Sequence, residues 1–152
     1  MDYVVFFIYL GACFAAAATG SLFPTGAWYK SLDKPSWTPP DWIFPIAWAV
    51  FYVLLAIAGA RVANIAGNKY AVAFWSLHIA LNTLWTPVFF GARKLKVGMV
   101  IIGLLWFSAA GTIYYTLILD RFSGLLIMPY ILWVTFAAAL NFSLMKRNSS
   151  VD

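Results

Sequence analysis

His78 and Asn82 stand one helical turn apart, and with Trp75, Trp85 and Phe89 they follow three- and four-residue steps that share one helical stripe. An imidazole, a carboxamide and flat indoles on one face can do two kinds of work. They can join one helix to another, the default use of an asparagine in an apolar segment. They can also supply the few polar groups that orient an apolar ligand. Similar stripes recur at Trp48, Tyr52 and Leu55, and at Tyr130, Trp133, Ala137 and Leu140. Helices carrying them would either aim aromatic faces at a common cavity or simply pack against one another. His78 is the only histidine and Cys13 the only cysteine, which excludes an internal disulfide and any Cys/His zinc site. No metal site is expected, the sole candidate being His78 as an axial ligand of haem iron.

What the apolar stretches lack narrows the chemistry further. The chain has no glutamate, and its lysines, Lys30, Lys34, Lys69, Lys94, Lys96 and Lys146, all fall between or beyond those stretches. Ion-coupled pumps, voltage sensors and proton relays place ionisable groups inside the membrane, at a cost of several kcal/mol each. A Schiff-base lysine would need a buried amine. Neither requirement is met, and 19% of the residues are aromatic instead.

The elements that must hold these residues follow from composition. Of 152 residues, 64% are hydrophobic and 10% charged, and the mean hydropathy is +0.85. That is too little polar surface for a water-soluble globule, and it excludes disordered, fibrous and nucleic-acid-binding classes. Five windows, 3–23, 42–60, 70–90, 97–119 and 122–145, contain no Asp, Lys or Arg and are long enough to cross a bilayer. The expected fold is an all-α membrane protein, a five-transmembrane-helix bundle forming one domain over residues 1–152. The first window is longer than a signal-peptide core and has no basic residue before it, so it reads as a retained helix. Ala12, Ala16 and Gly20 on it recur at four-residue steps, a seam of small residues that admits a neighbouring helix. Lys30, Lys34, Arg93, Lys94, Lys96, Lys146 and Arg147 fall on one side of such a bundle, against Arg61, Lys69 and Arg121 on the other. This asymmetry favours the N-terminus out and the C-terminus in. It also assigns the net charge of +5 to membrane orientation and anionic lipid headgroups, with no nucleic-acid partner.

The longest connection, 24–42, carries Pro24, Pro35, Pro39 and Pro40 together with Trp28, Trp37 and Trp42. Proline fixes φ and donates no backbone hydrogen bond, so the segment can be stiff without being regular. Its tryptophans need apolar cover, which a lid folded over the helix ends would provide. Pro45 stands in the first turn of the next window, where a helix accepts proline.

These residues resemble the TspO, or translocator protein, family of tryptophan-rich sensory proteins, formerly called peripheral benzodiazepine receptors. The resemblance runs through Trp28-Tyr29, Lys34-Pro35-Ser36-Trp37-Thr38-Pro39-Pro40 and Phe44-Pro45-Ile46-Ala47-Trp48. It continues through Asn82-Thr83-Leu84-Trp85-Thr86-Pro87, ending at Gly91, then Pro129-Tyr130 with Trp133, and Ala137 to Asn141. The landmarks keep their order over nearly the whole chain. The resemblance implies a five-helix bundle whose cavity, under the first loop, binds tetrapyrroles such as protoporphyrin IX or haem, and isoquinoline or benzodiazepine drugs. No obligatory cofactor is implied. By motif, Tyr29, Trp37, Pro39 and Pro40 would form the lid, and Trp48, Tyr52, Asn82, Trp85, Trp133 and Ala137 would line the pocket. A larger residue at Ala137 should narrow it. A porphyrin would stack on Trp48 and Trp133 with its acids near the wet loop, within reach of Lys30 or Lys34. Bacterial members of the family are usually homodimers.

Three functions are compatible with that resemblance. A tetrapyrrole-binding sensory protein needs only the pocket. A light-dependent porphyrin-degrading enzyme would use Trp48 and Trp133 as redox-active indoles, since no carboxylate or reactive cysteine is available. A porphyrin or lipid transporter would need alternating access, and no internal repeat is visible. Sterol transport is not expected, because Phe142 replaces the tyrosine of the cholesterol pattern between Leu140 and Lys146. Helical bundles usually occupy inner membranes, whereas relatives have been placed in outer membranes of bacteria and mitochondria, and both locations stay open.

Overall fold

The computed structural model describes residues 1–149, and its regular structure is helical throughout. The elements are α1 (Tyr3–Leu22), α2 (Ala27–Ser31), α3 (Ile43–Val62), α4 (Lys69–Thr86) with a π-helical turn (Pro87–Gly91), α5 (Leu95–Leu119) and α6 (Arg121–Arg147). Four of them, α1, α3, α5 and α6, are long and apolar enough to cross a membrane. The chain is thus a multi-pass helical membrane protein. α4 is not among those four: it carries Lys69 at its start and Ser76, His78, Asn82, Thr83 and Thr86 along it. The window 70–90 does not form one regular helix. Pro87 has no N–H to continue the ladder, and the next turn widens until the Ala92 N–H reaches the Pro87 carbonyl at 2.8 Å. Gly91 closes that turn against Phe23, whose ring would lie 2.7 Å from any Cβ there.

Association of such helices rests on close van der Waals fit and interhelical hydrogen bonds. α5 packs between α4 and α6, and α1 lies along α3. The interior is built from Leu55, Ala56, Ile102, Leu105, Ala109, Ile127, Tyr130 and Val134. Tyr9 of α1 lays its ring on Gly59 and meets Trp75 edge-on at 4.4 Å, while Trp75 Nε1 donates to the Leu55 carbonyl at 3.1 Å. The small-residue seam on α1 is only partly used: Ala16 is buried, but Gly20 is exposed.

A single residue, Asp120, joins α5 to α6. Its carboxylate caps α6 at the Phe122 N–H (3.2 Å) and accepts from Arg61 Nε (2.7 Å) and the Ser123 hydroxyl (2.6 Å), tying the end of α3 to this hairpin. The hydrogen bonds from Arg61 and then Ser123 hold the Asp120 carboxyl below its ordinary range. The folded state therefore takes up that proton less readily than the unfolded chain. The resulting stabilisation is fully present above the unfolded value of about 3.9 and is lost as pH falls through the folded value. We expect the apparent melting temperature in detergent to drop more steeply below about pH 4 for the wild type than for Asp120→Asn. Parallel pH profiles would mean that the contact contributes nothing.

The first connection differs from an irregular loop. It contains α2, and the Thr38 N–H and hydroxyl both donate to the Pro35 carbonyl, at 3.0 and 2.7 Å. Its tryptophans are not equally covered. Trp28 packs edge-on against Phe89 at 6.0 Å and Trp37 against Phe136 at 5.6 Å, but Trp42 is 64% exposed, as suits an indole at a membrane interface.

Candidate functional site

Beneath the first connection lies a cavity of about 550 Å³, within the range of small-molecule sites. α3 gives it Phe44, Trp48 and Tyr52, α4 gives Asn82 and Trp85, and the π turn gives Phe89 and Phe90. Successive turns of α6 contribute Ala137, Leu140, Asn141 and Leu144, and Tyr29 of α2 closes one end. The widened turn after Thr86 matters locally: Trp85 and Phe89 stack at 4.8 Å, with Phe90 edge-on to both. Flat aromatic surface therefore dominates the α3 and α4 sides. The remaining side is thinner. Phe14, Gly20 and Ser21 of α1 and Pro45, Ala49 and Val53 of α3 border the cavity yet are exposed, so it reaches the outer surface between these helices.

Of the described lining residues one, Asp41, is charged, and the two buried asparagines that face this space are partly committed. Asn82 Nδ2 donates to the Tyr130 hydroxyl at 3.3 Å, and His78 Nε2 shares a 2.7 Å hydrogen bond with the same oxygen. Asn141 Nδ2 donates to the Leu95 carbonyl at 3.3 Å, leaving its buried Oδ1 without a partner; the buried Trp85 Nε1 is likewise unpaired. An unpaired buried donor or acceptor costs about 1–3 kcal/mol. A ligand offering the complementary atom would relieve that cost. At the mouth, burial and then the nearby Asp41 carboxylate push the Tyr29 phenol up to about 12, so it stays neutral and can donate. Lys34 Nζ lies 4.8 Å from the Tyr29 ring centre and bonds the Lys30 carbonyl at 3.2 Å. It neighbours the mouth without lining the cavity.

Six of the sequence-derived binding residues, Tyr29, Trp48, Tyr52, Asn82, Trp85 and Ala137, border one cavity. Trp133 and Pro39 instead line a shallow groove on the far side of α3 and α6, with Phe51, Leu132 and Phe136. Trp133 still touches the cavity wall from behind, edge-on to Trp48 at 6.3 Å, and stacks on Phe136 at 5.6 Å. Trp37 continues that row on Phe136. Pro40 borders neither space; its carbonyl accepts the Ile43 N–H at the start of α3. His78 is fully buried behind Asn82 and does not border the cavity; its Nε2 is engaged by the Tyr130 hydroxyl and its Nδ1 has no partner. Among the described residues no group of three His, Cys, Asp or Glu side chains is placed to hold a metal.

Sequence reasoning overlooked the contribution of α1. Ala16 and Gly20, whose spacing with Ala12 reads as a helix seam, border the cavity, and Cys13 and Ala17 beside them do so as well. Asn141 and Leu144 were recoverable, because they extend the Ala137 and Leu140 stripe by one turn.

Comparison with known proteins bears on this architecture. The family model described as TspO/MBR family matches residues 5–147. The chain is 49% identical over 152 residues to Protein CrtK of Rhodobacter capsulatus, covering 97% of this chain and 95% of that protein. It is 42% identical over 148 residues to Tryptophan-rich sensory protein of Cereibacter sphaeroides, covering 97% and 94%. With human Translocator protein it shares 32% identity over 126 residues, covering 80% and 75%.

Proposed function

The chain belongs to the TspO/MBR family, and from that premise we propose that it is a membrane sensory protein that binds tetrapyrroles such as protoporphyrin IX or haem. In this reading α4 is a fifth span, sheltered by the four more apolar helices, the N-terminus faces out and the first connection acts as a lid. Isoquinoline and benzodiazepine compounds would occupy the same cavity, and two copies would pair in the membrane. The observation that carries the reading is the cavity of about 550 Å³ walled by Trp48, Trp85 and Phe89. A macrocycle is a broad apolar plate, and such walls offer it stacking surface without charge. Its carboxylates would lie toward Tyr29 and the basic end of the first connection.

A dark titration of the purified protein with protoporphyrin IX, read by tryptophan quenching, tests this. Saturable quenching is expected, with affinity about tenfold weaker in Trp48→Ala, in line with an aromatic contact of about 0.5–1.5 kcal/mol. Absence of saturation, or an affinity indifferent to Trp48, would sink the assignment. A second reading, light-dependent porphyrin degradation, is favoured by one observation: Trp48 stands on the wall with Trp133 in edge contact behind it. Illumination of the saturated sample separates the two. Protein-dependent bleaching that disappears in Trp48→Phe would make degradation the primary function.

A further inference from the structure

We propose that the side chain of Asn148 latches the first connection to the end of α6 and thereby sets how fast the cavity fills and empties; this rests on reading the cavity as a ligand site. Asn148 is 8% exposed and follows directly on α6. Its Oδ1 accepts the Asp33 N–H at 2.9 Å, and its Nδ2 donates to the Asp33 carbonyl at 3.0 Å. The carboxamide thus satisfies both backbone polar groups of one residue 115 positions away, as a neighbouring strand would. The same Nδ2 donates to the Leu144 carbonyl at 2.9 Å and so closes the last turn of α6. Among the described residues, the only other hydrogen bond tying the first connection to a distant element is Arg147 to Asp33, at 3.3 Å. Its side chains are 46% and 63% exposed, and such a pair is worth little.

The mechanical link to the cavity is short. Leu32, next to Asp33, is buried in a cluster with Tyr29, Leu140 and Leu144. Those last three residues all border the cavity. Releasing Asp33 frees the backbone that seats Leu32, and with it the Tyr29 end of the cavity. The basic end of the chain thereby acts on a site it does not touch: Asn148 is a positioning residue.

Cys13 supplies a probe that does not depend on any ligand, because it is the only cysteine, is fully buried and borders the cavity. Its labelling rate would be followed with a water-soluble, permanently charged methanethiosulfonate reagent, which avoids approach through the detergent or lipid. Asn148→Asp keeps the shape but removes both donated hydrogen bonds and sets an oxygen against two carbonyls. It should label about tenfold faster, the factor that two net hydrogen bonds are worth. Asp33→Ala removes only the exposed ion pair and keeps the backbone contacts, so it should label at the wild-type rate. Equal rates in all three proteins would overturn the latch. If Asn148→Asp does not fold, Asn148→Ala carries the same comparison.

Protoporphyrin IX association and dissociation rates give the second readout. Release of a latch raises both rates and leaves Kd nearly unchanged. A Kd that weakens as much as dissociation accelerates would make Asn148 merely structural and overturn the proposal. If the wild type does not bind the porphyrin, the ligand assignment fails, while Cys13 labelling still decides the latch.

Discussion

Ala137→Phe is expected to abolish practical porphyrin binding, with affinity reduced roughly a hundredfold, while the protein remains folded. Ala137 is 8% exposed and forms part of the cavity wall one turn before Leu140 and Asn141. A longer side chain there has only the cavity to grow into. The ring would occupy the space a flat ligand needs, and relieving the overlap costs about 1–3 kcal/mol, the upper end of which is about a hundredfold. Because the side chain fills a void, helix content and melting temperature should change little. Quenching titrations against Ala137→Gly, which leaves the space open, check the result. Wild-type affinity in the phenylalanine variant would place the ligand elsewhere.

The largest effect on stability is expected at Gly124. A Cβ there would sit 2.7 Å from the Cα of Leu117 and collide with its side chain as well. The backbone of α5 cannot rotate away, so the one-residue hairpin would have to open. Glycine to alanine gains about 1 kcal/mol of helix propensity, but overpacking of this kind costs about 1–3 kcal/mol or more. We take the collision with backbone to prevail by about 2 kcal/mol, which lowers the melting temperature by roughly 4–8 °C in a chain of this size. Gly103→Ala is the internal control. It lies in the partner helix of the hairpin, α5, with nothing within 4 Å of the new Cβ, so it should be neutral or stabilising. Equal melting temperatures for the two variants would refute the close approach.

Most helix limits were legible because charge marks them. Apart from the end of the first window, which Pro24 marks well before Lys30, each limit lies at or within a few residues of an Asp, Lys or Arg, and α1, α3, α5 and α6 end within two residues of the charge-free windows. The third window is helical over its length, but counting charges is blind to Pro87, which keeps the chain helical and widens its turn. α2 was hidden for a related reason: the prolines on either side of Ala27–Ser31 suggested irregular backbone, yet none falls inside it. In the site, Trp48 with Tyr52 and Asn82 with Trp85 share a cavity as their spacing suggested. Trp133 parts company with Ala137, although they lie one turn apart. Its indole finds Phe51 and Phe136 behind the wall and Phe44 on it, and that choice among aromatic neighbours depends on tertiary packing that no single helix encodes. The α1 wall was obscured because a small side chain serves a cavity and a helix contact equally well.

The connection at Asp120 also constrains how the chain is made. One residue spans about 3.5 Å, far less than the thickness of a headgroup layer. During synthesis α5 therefore stays tethered at that end to its successor as α6 enters the bilayer. The two helices meet there as a tight hairpin, and the Arg61 contact to Asp120 ties α3 to the same point.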